Sequence, residues 1–522
     1  MWRVKVSTGL DMSLLVQLYA LRWLLLSAAV ALYLADKYRR YDRLRHFHGP
    51  FGTGWSEFWH ARVILGLHSH LAYQDVNDKY GPVARVGPNE LVTSSPELLA
   101  HMNAVRSQYT RSYWFNAATR VEPGKDHVFS QLDEQKHTKR RQQMAAGYSG
   151  KENLSLESDI DGRLQELLTL IRTKYMSTSA GAKPMDLARK VQYFTLDVIS
   201  TIGFGEAFGD LQADADLNDY IKSGEQGLTV VTISAALGLT KYLQWPPLAR
   251  LLGPSEKDRS GFGKMMGVAR KLIDSRLEKS TDGRSDMLAS FMHHGLSKED
   301  LFSEAVLQIL AGSDTTATAI RSTMLYLVAH PRIYYRLQAE VDAAVRSGAA
   351  PGIVQDTTLR NLPYLQAVVR EGLRIFPPVT DVVPKKVPEG GDRVTVDGKQ
   401  YFLPGGTDVS YNAWGVHHDK AMFGEDADRF RPERWLLEEN SANEDKLTAM
   451  RRTTEMIFGY GKYQCLGKPI AWLEITKTVF EFLRHFDWGL AHPDDPWKST
   501  NYNGIFVQEH MWVLVSEREP TA

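Results

Sequence analysis

Cys465 is the only cysteine in the 522 residues, and its neighbours set the chemistry open to it. The segment from Phe458 to Gly467 reads FGYGKYQCLG, and a helical pattern, KPIAWLEITKTVFEFLRHF, begins directly behind it. The sulfur therefore falls at a helix N-terminus, where the unpaired N–H groups of the first turn favour thiolate over thiol. Gly461 and Gly467 let the backbone turn sharply and approach a flat ligand closely, and Phe458 is placed to cover the sulfur. A single cysteine excludes an intrachain disulfide and any multi-cysteine zinc or iron–sulfur site built from this chain, and it suits a reducing compartment. The plain alternative for such a residue is a small buried hydrophobe.

A second group lies in AGSDTT, Ala311 to Thr316, inside a long apolar helix pattern from Lys298 to His330 that Pro331 stops. Gly312 weakens the helical ladder there, and the Thr315 hydroxyl can bond back to the carbonyl of Ala311, opening a groove. An acid beside a hydroxyl offers a proton path into an apolar pocket, with Asp314 as source and Thr315 as the group that presents the proton. SDTT is also a good capping string, so two helices in place of one is the competing reading. Further along, Glu371 and Arg374 in VVREGLRIFPP lie three apart on one helix face, and FRPERW supplies Arg434. Taken alone such a pair is a solvated surface contact of little weight. HTKRR sets His137 and Arg141 one helical turn apart, and VVPKK contains Lys385.

Taken in order, these segments resemble the cytochrome P-450 superfamily of haem-thiolate monooxygenases. The cysteine loop is similar to FxxGxRxCxG at Phe458, Gly461, Cys465 and Gly467, with Tyr463 where the family carries an arginine that contacts a haem propionate. AGSDTT resembles the family's oxygen-activating helix. Glu371, Arg374 and Arg434 resemble the buried ExxR plus PERF triad, whose role is structural, with Trp435 in place of Phe. His137 and Arg141 are similar to WxxxR with His in place of Trp, and Lys385 stands where an arginine is usual. GYSGKEN and the stretch around Cys465 resemble a filamentous-fungal branch that includes pisatin demethylases and tailoring oxygenases of secondary metabolism. The resemblance runs from about Pro50 to the C-terminus. It implies haem b with Cys465 as axial ligand, and a thiolate on haem iron pushes electron density toward bound dioxygen and favours O–O cleavage. On this reading His137, Arg141, Lys385 and Tyr463 face the propionates; because only Arg141 keeps a guanidinium, haem retention is expected to lean on it.

The elements that position these residues are mainly α with a small β-sheet portion, the cytochrome P-450 fold, preceded by a membrane anchor helix. Residues 13–35 are nearly all apolar apart from Arg22, long enough to span a bilayer, and Lys37, Arg39, Arg40, Arg43 and Arg45 follow. The positive-inside rule keeps the following chain cytosolic, and no small-residue cleavage site precedes the basic cluster. The organisation expected is a luminal segment 1–12, a transmembrane anchor 13–35, a basic and Pro/Gly hinge 36–52 with HGPFG as its stiff joint, and a catalytic domain 53–522. YGPVARVGPNELVTSS reads as a hairpin before a helix from Pro96, with further strands in DRVTVDGKQYFLPGG and near GIFVQEHMWVLV. Lysine plus arginine and aspartate plus glutamate balance at 62 each, which gives no ground for a nucleic-acid partner. Apolar residues at 43 % and charged residues at 24 % suit a folded globule.

No Gly-rich dinucleotide fingerprint stands at a strand–helix junction. The resemblance therefore implies electrons from NADPH through a membrane-bound NADPH–cytochrome P-450 reductase, helped by cytochrome b5, at the endoplasmic reticulum membrane. Lys462 and Lys468 flank the cysteine, either facing an acidic partner or simply solvated. Positions the family uses for substrate fall at Tyr113, Trp114 and Phe115, at Gln308 and Ile309, from Val379 to Val383, and at Ile505 and Phe506; their apolar character suits a lipophilic small molecule. Two other functions remain open: a thiolate-haem isomerase or dehydratase, which tends to lack the acid–Thr pair, and a non-enzymatic haem-binding membrane protein, which needs no proton relay.

Overall fold

The apolar N-terminal run folds as one continuous helix, α1 (Met12–Arg43), whose side chains from Tyr19 to Asp36 are all exposed. Its apolar part, Tyr19 to Arg43, has the length and composition to cross a membrane. The computed structural model describes residues 12–113, 119–120, 122, 124–278, 285–380, 384–436 and 441–518, so residues 1–11 of the expected luminal segment lie outside the described residues. Arg22 turns back on its own helix, donating from Nη1 to the carbonyl of Tyr19 at 2.6 Å and lying 3.8 Å from the Tyr19 ring centroid.

The basic stretch assigned to a hinge is the docked end of α1. Strand β1 (Val83–Gly87) carries Arg85, 3 % exposed, which donates to the carbonyls of Arg40 (3.1 Å) and Tyr41 (3.0 Å) and to those of Gly87 and Pro88. A guanidinium thus satisfies carbonyls that the helix end leaves open. Tyr41 stacks on Trp55 at 4.5 Å, Arg43 donates to Asn89 and Thr407, and Leu44 and Phe47 enter the core beside the sheet. The non-helical joint is confined to the segment after Arg43, where Gly52 adopts φ +86.

β1 pairs antiparallel with β2 (Glu90–Thr93), and the helix from Pro96 follows with Ser95 as its cap, its hydroxyl accepting from Leu98 N. β3 (Thr110–Arg111) is a short strand at the far edge of the same sheet. Helix α2 (Glu134–Tyr148) is capped by Asp133, and α3 (Leu187–Phe204) is buried along almost its whole length. The long pattern is one helix, α4 (Lys298–Ala329), capped by Ser297 with Glu299 and Asp300 in its first turn and ended before Pro331. α4 packs on α3, on α5 (Pro363–Ile375) and on the helix behind the cysteine.

The sheet closes with β4 (Lys385–Lys386) and, beyond a hairpin of β5 (Asp392–Val396) and β6 (Lys399–Leu403), with β7 (Asp408–Tyr411). Its order is β1-β2-β7-β4-β3, with β2 and β7 parallel and β3 and β4 antiparallel, so Arg111 stands directly opposite Lys385. The hairpin turns on Asp397 and Gly398, both at positive φ (50 and 74), as a two-residue Asp-Gly turn requires. Helix α6 (Lys468–His485) follows the cysteine loop, and the last strands are β8 (Ile505–Glu509) and β9 (Trp512–Glu517). The result is a mainly α fold with small sheets, the fold class expected from the sequence.

Candidate active site

The cysteine loop is held by its own backbone. Cys465 N donates to Phe458 O at 2.6 Å, closing the loop, and Gly461 lies at φ +57 with the space for a β-carbon filled by the carbonyl oxygen of Asn103 at 2.2 Å. Gly461 is therefore required twice, by its conformation and by a close approach. Gly467 is not: its φ is −78, and a β-carbon there would sit 3.8 Å from the Cys465 sulfur in ordinary contact. The N–H groups of Gly467 and Lys468, at the start of α6, are bonded to the sulfur. Burial nevertheless pushes the thiol up, outweighing those N–H groups and the charge of Arg141, so the helix terminus alone does not make a thiolate. A bound metal would, since a coordinating thiol is deprotonated outright. The sulfur is accessible although protein surrounds it on nearly all sides, which places it on the wall of a recess.

Around the Tyr463 ring lies a group of cations. Lys385 Nζ sits 3.2 Å from the ring centroid, the Arg111 guanidinium 4.7 Å and Lys462 Nζ 5.0 Å. Lys385 is 2 % exposed and its Nζ has no hydrogen-bond partner among the described residues; burial, then Arg111, hold its pKa well below the usual lysine range. His137, one turn before Arg141 on α2, accepts from Arg111 Nη2 at its Nε2 (3.2 Å). The ring proton is thereby assigned to Nδ1, which is buried and without a partner among the described residues. Burial and the cations Arg111, Arg141, Lys385 and Lys462 push His137 down to about 3, so the ring is neutral. Arg141 makes no hydrogen bond or ion pair with the described residues, and burial lowers its pKa while Cys465 raises it. Tyr463 donates its hydroxyl proton to Glu134, which also accepts from Lys462 at 3.0 Å. The expected free donor at Tyr463 is thus already committed, and Lys462 is a structural lysine that also bonds the carbonyls of Ser107 and Tyr109. Lys468 pairs with Glu455 at 3.3 Å.

On α4 the helix is unbroken, and Thr315 Oγ1 donates to Ala311 O at 2.8 Å. Ala311 is exposed in mid-helix and Thr315 partly so, while Ile309, Ser313, Thr316 and Ala317 are buried, so one stripe of α4 opens onto accessible space. A β-carbon on Gly312 would meet Ile199 Cδ1 at 2.8 Å; the glycine serves the close approach of α3 as well as the groove. Asp314 points the other way. Its Oδ1 accepts from Gln192 Nε2 (2.6 Å), and Gln192 Oε1 accepts from Arg321 Nη2 (2.6 Å). Burial pushes Asp314 up to about 6, against the pull of Gln192 and Arg321. The carboxyl faces a cavity of about 30 Å³ lined also by Tyr220 and Gln508, room for one or two waters.

The structure brings Glu371, Arg374 and Arg434 together at 0–1 % exposure. Glu371 accepts from Arg374 Nε (2.9 Å) and Nη2 (2.8 Å), Arg434 Nε (2.9 Å), Arg431 N (2.9 Å) and Trp435 Nε1 (2.9 Å). The remaining guanidinium hydrogens bond the carbonyls of His417, Phe423, Asp426, Ala427 and Arg429. This network ties the loop from His417 to Trp435 to α5, and none of its hydrogen-bond partners is Cys465, Asp314 or Thr315. Among the positions read as substrate-facing, Ile309 and Gln308 are core residues, the latter donating to Met287 Sδ at 3.3 Å. Phe506 belongs to an aromatic cluster with Phe376 (4.6 Å) and lines the cavity beside Asp314; Val379 bridges to Ile505. Tyr113 is exposed, while Trp114, Phe115 and positions 381–383 lie outside the described residues. Sequence reading missed Arg111, Glu134 and Gln192, none of which belongs to a motif.

Haem fits this donor set. A lone sulfur on a recess wall suits one axial ligand. Four cations with one carboxylate in direct contact, and an orphaned Lys385 Nζ and His137 Nδ1–H, suit a ligand bearing two carboxylates. Comparison with known proteins agrees. The family model described as "Cytochrome P450" matches residues 50–512. The chain is 39 % identical over 510 residues to "Cytochrome P450 monooxygenase ABA1" of Pyricularia oryzae, covering 96 % of this chain and 98 % of that protein. It is 35 % identical over 484 residues to "Cytochrome P450 monooxygenase aba1" of Botryotinia fuckeliana (92 % and 93 % covered), and 29 % identical over 470 residues to "Pisatin demethylase" of Fusarium vanettenii (88 % and 86 %).

Proposed function

Because the chain belongs to the cytochrome P450 family and is a haem-thiolate monooxygenase, we propose that it oxidises a lipophilic small molecule of fungal secondary metabolism with electrons relayed from NADPH by a membrane-bound reductase. The observation that carries this reading is the Cys465 loop, with the sulfur at the start of α6 and bonded by two backbone N–H groups. When bound, the haem supplies dioxygen activation by electron donation from the thiolate.

The chain's own part is to hold the cofactor and manage protons. Monooxygenation places one oxygen atom in the substrate and the other in water, consuming two electrons and two protons. Asp314 is the proton source, poised by burial at about 6 so that both protonation states are accessible near neutral pH. Thr315 presents the proton on the accessible stripe of α4, its hydroxyl oriented by the carbonyl of Ala311. Phe458, Gly461 and Gly467 shape the loop around the sulfur; His137, Arg141 and Lys385 face the propionates. The retained acid–Thr pair favours a monooxygenase over an isomerase or carrier.

The redox partner is proposed to be an NADPH–cytochrome P-450 reductase, with cytochrome b5 as a second donor. Helix α1 is proposed to hold residues 1–12 in the lumen of the endoplasmic reticulum and the domain that follows in the cytosol, because Arg39, Arg40, Arg43 and Arg45 cluster at its C-terminal end. Turnover of recombinant protein with reductase and NADPH against a panel of lipophilic metabolites tests the reading. NADPH-dependent oxygenated product supports it, and product formed from a hydroperoxide with no reductase would replace it.

A further inference from the structure

Beside the docked end of α1 lies a group of metal-ligating side chains that the oxidation does not use. Glu57 precedes the helix Phe58–Leu65, His60 stands in the first turn of that helix, and Glu90 opens β2. One oxygen of each carboxylate and a ring nitrogen of His60 all lie within 4.8 Å of one another. His60 Nδ1 is 2.9 Å from Glu90 Oε2, while the hydroxyl of Tyr73, a residue 5 % exposed, bonds the opposite nitrogen, Nε2, at 2.7 Å. The imidazole is thereby fixed with Nδ1 toward the carboxylates, and a histidine that ligates a metal ordinarily has its second nitrogen held in this way.

The group lacks a cation of its own. Glu57 makes no hydrogen bond or ion pair with the described residues. Desolvation by the surrounding protein, then the charge of Glu90, push it up to about 7. The neighbouring cations are committed elsewhere, Lys37 to the carbonyl of Trp55 (3.1 Å) and Arg40 to Asp36 (2.8 Å). Space has also been kept clear at the donor atoms. Gly87 is not at positive φ, so conformation does not demand a glycine, yet a β-carbon there would meet Glu90 Oε2 at 2.5 Å and Glu57 Oε2 at 3.2 Å.

We propose that Glu57, His60 and Glu90 bind one zinc-class divalent cation through two carboxylate oxygens and an imidazole nitrogen, with water in the remaining position on the exposed Glu57 side. The nitrogen ligand selects zinc over calcium and magnesium, which take sets of oxygens. A tetrahedral zinc with bonds of about 2.0–2.2 Å sets its ligands roughly 3.3 Å apart, a closure that the exposed Glu57 side chain can make. With Nδ1 on the ion, the ring carries its proton on Nε2 and donates it to the Tyr73 oxygen. The ion ties the segment after α1 to the β1–β2 turn, whose Asn89 already bonds Arg43 and whose Gly87 and Pro88 carbonyls are held by Arg85. It thus fastens the domain where α1 docks.

The test titrates zinc chloride into untagged, chelator-stripped holoenzyme by isothermal calorimetry, using variants that keep the reduced carbon monoxide band of the parent. The parent should bind one equivalent with a Kd of about 1 μM or below. Glu57→Gln and His60→Ala should each weaken binding at least about 100-fold, and Tyr73→Phe about 10- to 100-fold, the scale for an outer partner of a metal-bound histidine. Zinc should also raise the thermal unfolding midpoint of the parent and leave that of Glu57→Gln unmoved. Glu57 is exposed, so this variant keeps the test decisive even where His60→Ala fails to fold. Less than one equivalent in the parent overturns the proposal. So does parent affinity in Glu57→Gln or His60→Ala, since the ion would then sit on other histidines. Saturable binding of calcium chloride that Glu57→Gln abolishes overturns it as well, because the oxygens alone would then make the site. Parent affinity in Tyr73→Phe overturns the orienting role given to Tyr73.

Discussion

Trp435→Phe restores the family's usual residue and should nevertheless destabilise this protein. The indole Nε1 donates to Glu371 Oε2 at 2.9 Å, and the side chain is 3 % exposed. A hydrogen bond to a buried charged group contributes about 1.5–3 kcal/mol. Phenylalanine keeps a ring against Phe423, whose centroid lies 6.2 Å away, but loses the pyrrole part of the indole and leaves a small void. Glu371 keeps four other donors, so its charge stays neutralised and the loss stays near the lower half of that range, about 2 kcal/mol. Glu371→Gln is the calibrating variant: it leaves Arg374 and Arg434 buried without their shared carboxylate, at a cost of about 3–5 kcal/mol. Chemical denaturation of the two variants and the parent, followed by circular dichroism, measures both. The carbon monoxide spectrum of folded Trp435→Phe should be unchanged, because the network bonds none of Cys465, Asp314 and Thr315. A loss within about 0.5 kcal/mol of zero, or one as large as that of Glu371→Gln, would refute the reasoning.

Asp314→Asn tests the buried carboxyl in two ways. The folded-state pKa, about 6, exceeds the unfolded value of 3.8, so the stability that the proton contributes is complete below 3.8 and lost as pH rises through about 6. Above that the ionised form costs on the order of 3 kcal/mol, and Asp314→Asn should gain about this much at alkaline pH and little in acid, read from paired denaturation curves. The same variant should slow turnover about 10²- to 10⁴-fold, as loss of a general acid does. Thr315→Ala should keep haem and substrate binding while diverting NADPH to hydrogen peroxide; unchanged coupling would remove its role. Truncation after Ala35 should release the protein from membranes with the domain intact. Truncation through Arg45 also strips Arg85 of the Arg40 and Tyr41 carbonyls and removes Leu44 from the core, and it should lower stability further by about 2–5 kcal/mol, measured by denaturation.

Local signals in the chain were enough for most of the fold. Ser297 and Pro331 bound α4, Asp397–Gly398 marks its hairpin, and the Phe458–Gly467 loop announces the sulfur, because caps, turns and motif spacing are short-range. The N-terminal apolar helix was legible, but its end was not: Arg85, far along the chain, holds the carbonyls of Arg40 and Tyr41 at its last turn. Non-local pairing also hid Arg111. Nothing in YTRS distinguishes it, and only the register of β3 on β4 sets it opposite Lys385. The glutamate that occupies the Tyr463 hydroxyl was invisible for the same reason, and Gln308 and Ile309, apolar-stripe neighbours of the reactive segment, turn into the core because a helix face is decided by what packs on it.

The most direct measurement of the account is the reduced carbon monoxide difference spectrum of the full-length protein beside that of Cys465→Ser. The account predicts the red-shifted Soret band of a thiolate-ligated haem in the parent and its complete loss in Cys465→Ser. The same band in the variant, or none in a parent that retains haem, would contradict it.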